Sequence, residues 1–300
     1  MPCGPALTFT LAHLSDPHTG PLPTPGWRDL LGKRLSGYWN WHSHRRHIHN
    51  MEVLARIVDD VKAAAPDHVA LTGDLVNTGL QAEFALAARH VAALGDASRL
   101  SIIPGNHDAY VGDSLRHMSD TFAPHMLGDG GQSGFPYLRL RQGVALIGVN
   151  SAIPTGPFLA SGAVGKAQLA RLAAMLDATR AHIRVVMIHH PPHYAGARLF
   201  RRLRDAAALE ALLARHGADL VIHGHNHRRS LADLPGPEGS AIPVVGVASC
   251  SAVPGDAAHR AAWHLFSLER RGDAVSVRLD VRGMAAPDAP VTLLDSVTIR

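Results

Sequence analysis

Apolar residues along the chain fall into short unbroken runs separated by stretches where they recur every three or four positions. Thr8 to Leu14 reads as a short buried strand ending at Ser15-Asp16-Pro17, and Ile48 to Ala65 has the periodicity of a helix. His68 to Thr72 predicts a second strand, Gln81 to Leu94 an alanine-rich helix, and Leu100 to Ile103 a third strand. Tyr137 to Leu140 and Val144 to Val149 predict a hairpin around Arg141-Gln142-Gly143. Beyond it come a helix near Lys166 to Thr179, a strand at Arg184 to Ile188, a helix at Ala206 to Arg215 and a strand at Leu220 to His223.

Such alternation predicts an α/β layered fold. After His227 the pattern changes: Ile242 to Ala248, Trp263 to Leu268, Val275 to Val281 and Val291 to Ile299 read as successive strands without long helices between them. A second, more antiparallel sheet is implied. There is no repeat of fixed period and no linker, and Gly128 to Gly134 is short enough for a surface loop. The expectation is one domain over residues 1–300, with residues 20–50 as a candidate cap insertion.

Composition narrows the class. With 300 residues and 46% apolar content the chain can bury one large core. The first fifteen residues carry no cationic stretch ahead of an apolar core, and the run Leu7 to Leu14 is too short to span a bilayer. A cytoplasmic location, open to peripheral membrane contact, is expected. Cys3 and Cys250 are the only cysteines, too few for a disulfide framework, and both are expected to be free thiols. A formal charge of +4 suits anionic substrates. No long basic tract or second basic domain is present to track a phosphate backbone, so a nucleic acid polymer is not the expected partner.

Histidine changes the picture most: there are 21, and neutral imidazole is the commonest side-chain ligand for transition metals. Five polar clusters follow predicted strands: Asp16-Pro17-His18, Gly73-Asp74, Gly105-Asn106-His107-Asp108, His189-His190-Pro191-Pro192 and Gly224-His225-Asn226-His227. Loops at strand ends gather ligand groups in α/β folds. In extended backbone, residues two apart project to one side, which would aim Asp16 with His18, and His225 with His227, into a common site. Gly73 and Gly105 permit sharp turns that bring Asp74 and Asn106 to the sheet edge. The Asp74 carboxylate has two oxygens and can bridge two cations. Two divalent ions, two carboxylates and a bridging hydroxide leave a charge of about +1, which attracts a phosphate anion.

These five clusters, in this order, resemble the pattern of the calcineurin-like metallophosphoesterase superfamily: Asp-X-His, Gly-Asp, Gly-Asn-His-Asp/Glu, His, then Gly-His-X-His. The resemblance spans residues 16–227. It implies a four-layer α/β/β/α sandwich of two mixed sheets, and a metal-dependent phosphoesterase using two divalent ions such as manganese, iron or zinc. By the same resemblance one ion takes Asp16, His18, Asp74 and His227, and the other takes Asp74, Asn106, His189 and His225. His189 is preferred to His190 because the family's ligand is the first histidine of the His-X-Pro stretch. His107 is implied as the histidine that stabilises phosphoryl oxygens or protonates the leaving oxygen, with Asp108 fixing its tautomer. A hydroxide bridging the metals is the implied nucleophile, and neither a Gly-X-Ser-X-Gly elbow nor a Walker-type loop is present to suggest covalent catalysis.

Residues 20–50 interleave aromatic and cationic groups: Trp27, Arg28, Lys33, Arg34, Tyr38, Trp39, Trp41, Arg45 and Arg46, with His42, His44, His47 and His49 among them. Three readings stay open: the segment docks on the domain, caps the substrate, or binds extra metal. Trp39 and Trp41, with His193 and Tyr194 from an opposite rim at residues 193–204, are the candidate substrate contacts. Trp and Tyr with Arg also suit lipid headgroups, contacted through residues 27–49. The functional expectation is a phosphodiesterase on a small or amphiphilic diester: a cyclic nucleotide, a glycerophosphodiester or a nucleotide-linked lipid. The alternatives are a phosphomonoesterase or phosphoprotein phosphatase, and a non-catalytic binding scaffold.

Overall fold

The computed structural model describes residues 8–253 and 255–300. Cys3 lies outside these residues, and Cys250 is a buried free thiol. Among the described residues twelve strands form two six-stranded mixed sheets. The first is ordered β12(Val291–Thr298)-β11(Ala274–Met284)-β10(Ala262–Arg271)-β1(Phe9–Leu14)-β2(His68–Leu71)-β3(Leu100–Ile102). The second runs β4(Tyr137–Arg141)-β5(Val144–Gly148)-β6(Ile183–Met187)-β7(Leu220–His223)-β9(Ala241–Gly246)-β8(Ser230–Pro235).

The strands of the second sheet show why the layers form. β5, β6 and β7 are apolar on both faces, as strands buried on both sides must be. Their side chains alternate between two cores. Leu146, Val185, Met187 and Ile222 join the cluster shared with the first sheet. Ile147, Val186, Ile188 and Val221 pack instead with Leu169, Leu172 and Leu176 of α5(Lys166–Ala178) and Leu209 and Leu213 of α6(Ala206–His216). On the far side, α2(Met51–Ala64) buries Val53, Leu54, Ile57, Val58 and Val61, and α3(Gln81–Leu94) buries Phe84, Ala87 and Val91. Each such aliphatic side chain removed from water contributes roughly 1.5–3 kcal/mol. The result is the four-layer α/β/β/α sandwich of two mixed sheets.

The late strands do not form a separate sheet. β10 pairs antiparallel with β1, and β11 and β12 extend the first sheet from it in antiparallel succession, while β9 pairs parallel with β7 and carries β8 on its edge. Long strands after His227 therefore reflect edge extension of both sheets. Two helices are added to those predicted, α1(Lys33–Ser43) and α4(Ser114–Phe122). No helix among the described residues is long and apolar enough to cross a membrane.

Candidate metal centre

β1, β2, β3, β6 and β7 are parallel within their own sheets, so the loops leaving their C-terminal ends meet at one edge of the sandwich. Backbone hydrogen bonds stitch these loops across the two sheets. Asp16 N donates to Gly73 O at 2.9 Å, His18 N to Asp74 O at 3.1 Å, and Gly224 N to His189 O at 3.1 Å. His225 N donates to Asp16 Oδ2 at 3.0 Å, tying a loop of the second sheet to a carboxylate of the first.

The sequence argument from extended backbone does not hold at these loops. Asp16, His18, Asp74, His225 and His227 all have positive φ, between 39° and 70°. Five left-handed non-glycine residues at one place cost free energy individually and persist only because packing and stitching over-determine them. Tight turns, rather than strand alternation, aim these side chains inward. Gly73 and Gly105 do permit this approach. A β-carbon on Gly73 would lie 2.4 Å from Gly105 N, and one on Gly105 would lie 2.2 Å from Asp74 Oδ1.

Seven side chains converge in two sets that share Asp74. In the first, His18 Nε2 lies 3.1 Å from His227 Nε2, 3.7 Å from Asp74 Oδ2 and 4.0 Å from Asp16 Oδ1; His227 Nε2 is 3.2 Å from Asp16 Oδ1. In the second, His189 Nε2 lies 3.5 Å from Asp74 Oδ1 and 3.2 Å from Asn106 Oδ1, and His225 Nδ1 is 2.8 Å from the same Asn106 oxygen. The two Asp74 oxygens thus face different sets.

Hydrogen bonding behind the site fits cation binding. His18 Nδ1 donates to Val76 O, His189 Nδ1 to Thr72 O and His225 Nε2 to Arg201 O, so each ring presents its other nitrogen to the centre as a lone pair. Asp16 Oδ1 is buried with no hydrogen-bond partner. Lone pairs facing lone pairs in a buried site repel unless a positive charge sits among them. The electrostatics agree. Burial opposes a charge on His189, but the neighbouring Asp74 carboxylate overrides it and lifts its pKa to about 9, which marks the place as one that favours positive charge. Burial, followed by the charge of Arg45, holds His18 well below the ordinary histidine range.

His190 is turned away: its Nδ1 pairs with Ser151 Oγ at 2.8 Å and its Nε2 with Ala160 O at 3.1 Å. His107 borders Asp74, whose Oδ1 accepts its backbone N–H at 2.7 Å. Asp108 does not fix the His107 tautomer. Its carboxylate is spent on the backbone N–H groups of Leu75, Val76 and Gly105, and the carbonyl of Asn77 accepts from His107 Nδ1 at 2.6 Å. The Asn77 turn is itself held by buried Glu83, which accepts from Asn77 N, Thr78 N, Thr78 Oγ1 and Leu80 N.

A cavity of about 400 Å³ opens over the centre, lined by Asp74, Asn106, His107, His225 and His227 together with Arg45, Ile48, His49, Ala160, Arg201, Asn226 and His259. None of the four expected substrate contacts lines it. Trp41 is buried with its ring beneath Gly20, Trp39 and Tyr194 stand in solvent, and Tyr194 packs under Arg202. His193 is half-buried away from the cavity. The expected segments do reach it through other residues. Arg45 forks over His107, with Nη2 donating to Nε2 at 2.8 Å, and Arg201 Nη2 donates to His225 O at 2.9 Å. His49 joins His18 and His227 in a further three-histidine group, its Nδ1 held by Ser251 Oγ at 2.8 Å. The clue in the sequence was the run of basic and imidazole groups at residues 42–49.

A family model described as calcineurin-like phosphoesterase matches residues 9–229. No curated protein matches the chain in sequence. Among solved structures, the purple acid phosphatase PPD1 from yellow lupin (Lupinus luteus) aligns with a TM-score of 0.60 at 12% identity, over 98% of this chain and 54% of that one. The sulfate thiohydrolase SoxB of Thermus thermophilus aligns at 0.56 and 16% identity, over 97% and 59%. The Haemophilus influenzae NAD nucleotidase aligns at 0.51 and 12% identity, over 97% and 54%. At these identities the likeness is one of fold, and the chain spans little more than half the length of each.

Proposed function

The chain belongs to the calcineurin-like phosphoesterase family, whose chemistry is metal-dependent hydrolysis of phosphate esters, and from that membership we propose that it is a phosphodiesterase acting on a small or amphiphilic diester. A cyclic nucleotide, a glycerophosphodiester and a nucleotide-linked lipid all fit that description. The observation that carries the reading is the shared carboxylate: one Asp74 oxygen lies 3.7 Å from His18 and the other 3.5 Å from His189. Asp16, His18, Asp74 and His227 would hold one divalent ion, and Asp74, Asn106, His189 and His225 the other. Manganese, iron and zinc all suit such oxygen and imidazole donors. When bound, the ions supply a water of lowered pKa and positive charge for the oxygens of an in-line displacement.

The chain's own residues do the rest. Arg45 and His107 lie together on the cavity wall, from which the guanidinium would meet non-bridging phosphoryl oxygens of a bound ester and the imidazole would stand near its leaving oxygen. The Asn77 carbonyl holds Nδ1 of the ring as a donor, which leaves Nε2 facing the cavity as the acceptor of the Arg45 N–H. Ile48 and Ala160 add apolar wall beside the cations Arg45 and Arg201, which suits an anion carrying an organic group on each side.

The test is the metal-reconstituted protein on bis(4-nitrophenyl) phosphate and on 4-nitrophenyl phosphate. A diester rate roughly tenfold or more above the monoester rate is expected; a faster monoester would replace the diester reading by a phosphomonoesterase or phosphoprotein phosphatase. That second reading has in its favour the fold likeness to a purple acid phosphatase. A non-catalytic scaffold is opposed by the complete ligand set, and absence of bound metal after reconstitution would revive it.

A further inference from the structure

Twelve large apolar side chains stand exposed among the described residues, and eight of them come from three short segments: 27–39, 158 and 194–200. Trp27, Leu31, Leu35 and Trp39 recur at intervals of four along α1 and the turn before it, and Trp27 is 72% exposed. Phe158 is 89% exposed at the tip of a turn, with φ of 63°. The three segments are joined. Lys33 Nζ, on the buried side of α1, donates to Thr155 Oγ1 at 2.8 Å and Leu159 O at 3.3 Å, and Ala160 N donates to Phe200 O at 3.0 Å. Each also runs directly into the cavity wall, through Arg45 and Ile48, through Ala160, and through Arg201. An apolar ridge therefore borders the mouth of the candidate site.

Charge is gathered at the same place. Residues 21–50 and 193–204 hold nine Lys and Arg against the single Asp29, leaving twenty Lys and Arg against twenty-four Asp and Glu elsewhere in the chain. Arg34 is committed to Asp113, but Arg28, Arg46 and Arg198 have no carboxylate partner among the described residues. Aromatic and aliphatic groups left in water beside unpaired cations match the interfacial layer of an anionic membrane, where rings and leucines enter the acyl boundary and cations meet phosphates.

We propose that this ridge seats the protein on an anionic lipid bilayer, with the cavity mouth against the headgroups. The leucines decide against a nucleic acid, since Leu31, Leu35 and Leu199 offer no ring on which a base can stack. The contact deepens the amphiphilic-diester reading, and the nature of the substrate rests on that reading while the contact itself does not.

The experiment is co-sedimentation of the metal-reconstituted full chain with vesicles of phosphatidylcholine alone and of equal parts phosphatidylcholine and phosphatidylglycerol, beside turnover of bis(4-nitrophenyl) phosphate in solution. Partition onto the anionic vesicles should exceed that onto neutral ones by ~10-fold or more. The double variant Leu35→Glu, Phe158→Asn should lose ~10-fold of that binding, while keeping its metal and its soluble turnover; Asn accepts the positive φ at residue 158. Equal partition onto both vesicles, undiminished binding by the double variant, or preference for a single-stranded oligonucleotide over vesicles would each overturn the proposal. Vesicle binding without diester turnover would leave the contact standing and remove the diester reading; turnover without vesicle binding would do the reverse.

Discussion

Behind the cavity polar side chains are tied to backbone, from the ring nitrogens of His18, His189 and His225 on carbonyls to the Asp108 carboxylate on three N–H groups. In residues 27–48, at the cavity's rim, indole and leucine side chains stand in water and most guanidinium groups lack a carboxylate. The first region holds its side chains by directed hydrogen bonds and suits chemistry at one phosphorus. The second fixes a surface and suits recognition of whatever carries that phosphorus. On the proposed function the difference makes reactivity and substrate choice separable, and Arg45 is where the two regions touch, since it belongs to the rim by sequence and to the centre by its bond to His107.

Substitutions can break that division. The largest effect is expected from Asp74→Ala, which removes the only group shared by both ligand sets: turnover should fall on the order of 10³-fold, with metal content reduced. Retained metal and turnover would dissolve the centre. His107→Ala should follow, losing about 10²-fold or more in kcat while keeping its metal, because no ligand is removed. Arg45→Ala should raise KM by about 10- to 100-fold, as expected for losing charge-assisted hydrogen bonds to a phosphoryl group, and Arg45→Lys should restore only part of it. If Arg45→Ala instead lost metal, Arg45 would belong wholly to the centre.

A smaller effect lies in the core, outside both regions. His68 is buried on Ser101, and burial with the Arg139 charge pushes its pKa down to about 3. The folded value is below the unfolded one of about 6.5, so the stabilising effect of a neutral His68 is whole above that pH and is lost as pH falls toward 3. His68 alone should lower stability in urea by about 1.4 kcal/mol per pH unit through this window, and His68→Gln should reduce the slope of the profile by that amount. An unchanged profile in the variant would show that other buried groups govern acid sensitivity.

Much of the scaffold was legible in the sequence. The helix at Gln81–Leu94 and the strand at Leu220–His223 were bounded correctly because their patterns agree with their neighbours' packing. The polar clusters that converge were legible as residue types placed after strands, though not through extended alternation, because positive φ at five residues cannot be read from side-chain spacing. α1 escaped notice because Gly37 and its polar neighbours give it little intrinsic preference. It is held by tertiary contacts: Gly37 lies so close to Tyr110 that a β-carbon would meet the phenol oxygen at 2.3 Å. β8 escaped because an edge strand ending in Pro235 pairs on one side only. The assignment of β10 to β12 to the first sheet depends on pairing across more than two hundred residues, which no local pattern contains.

In the proposed centre the Asp74 carboxylate would be shared by two bound cations. Electron paramagnetic resonance of the manganese-reconstituted protein tests it most directly. Two equivalents of manganese per chain should give an exchange-coupled spectrum that disappears in Asp74→Ala; a spectrum of isolated, uncoupled ions in the unsubstituted protein would contradict the account.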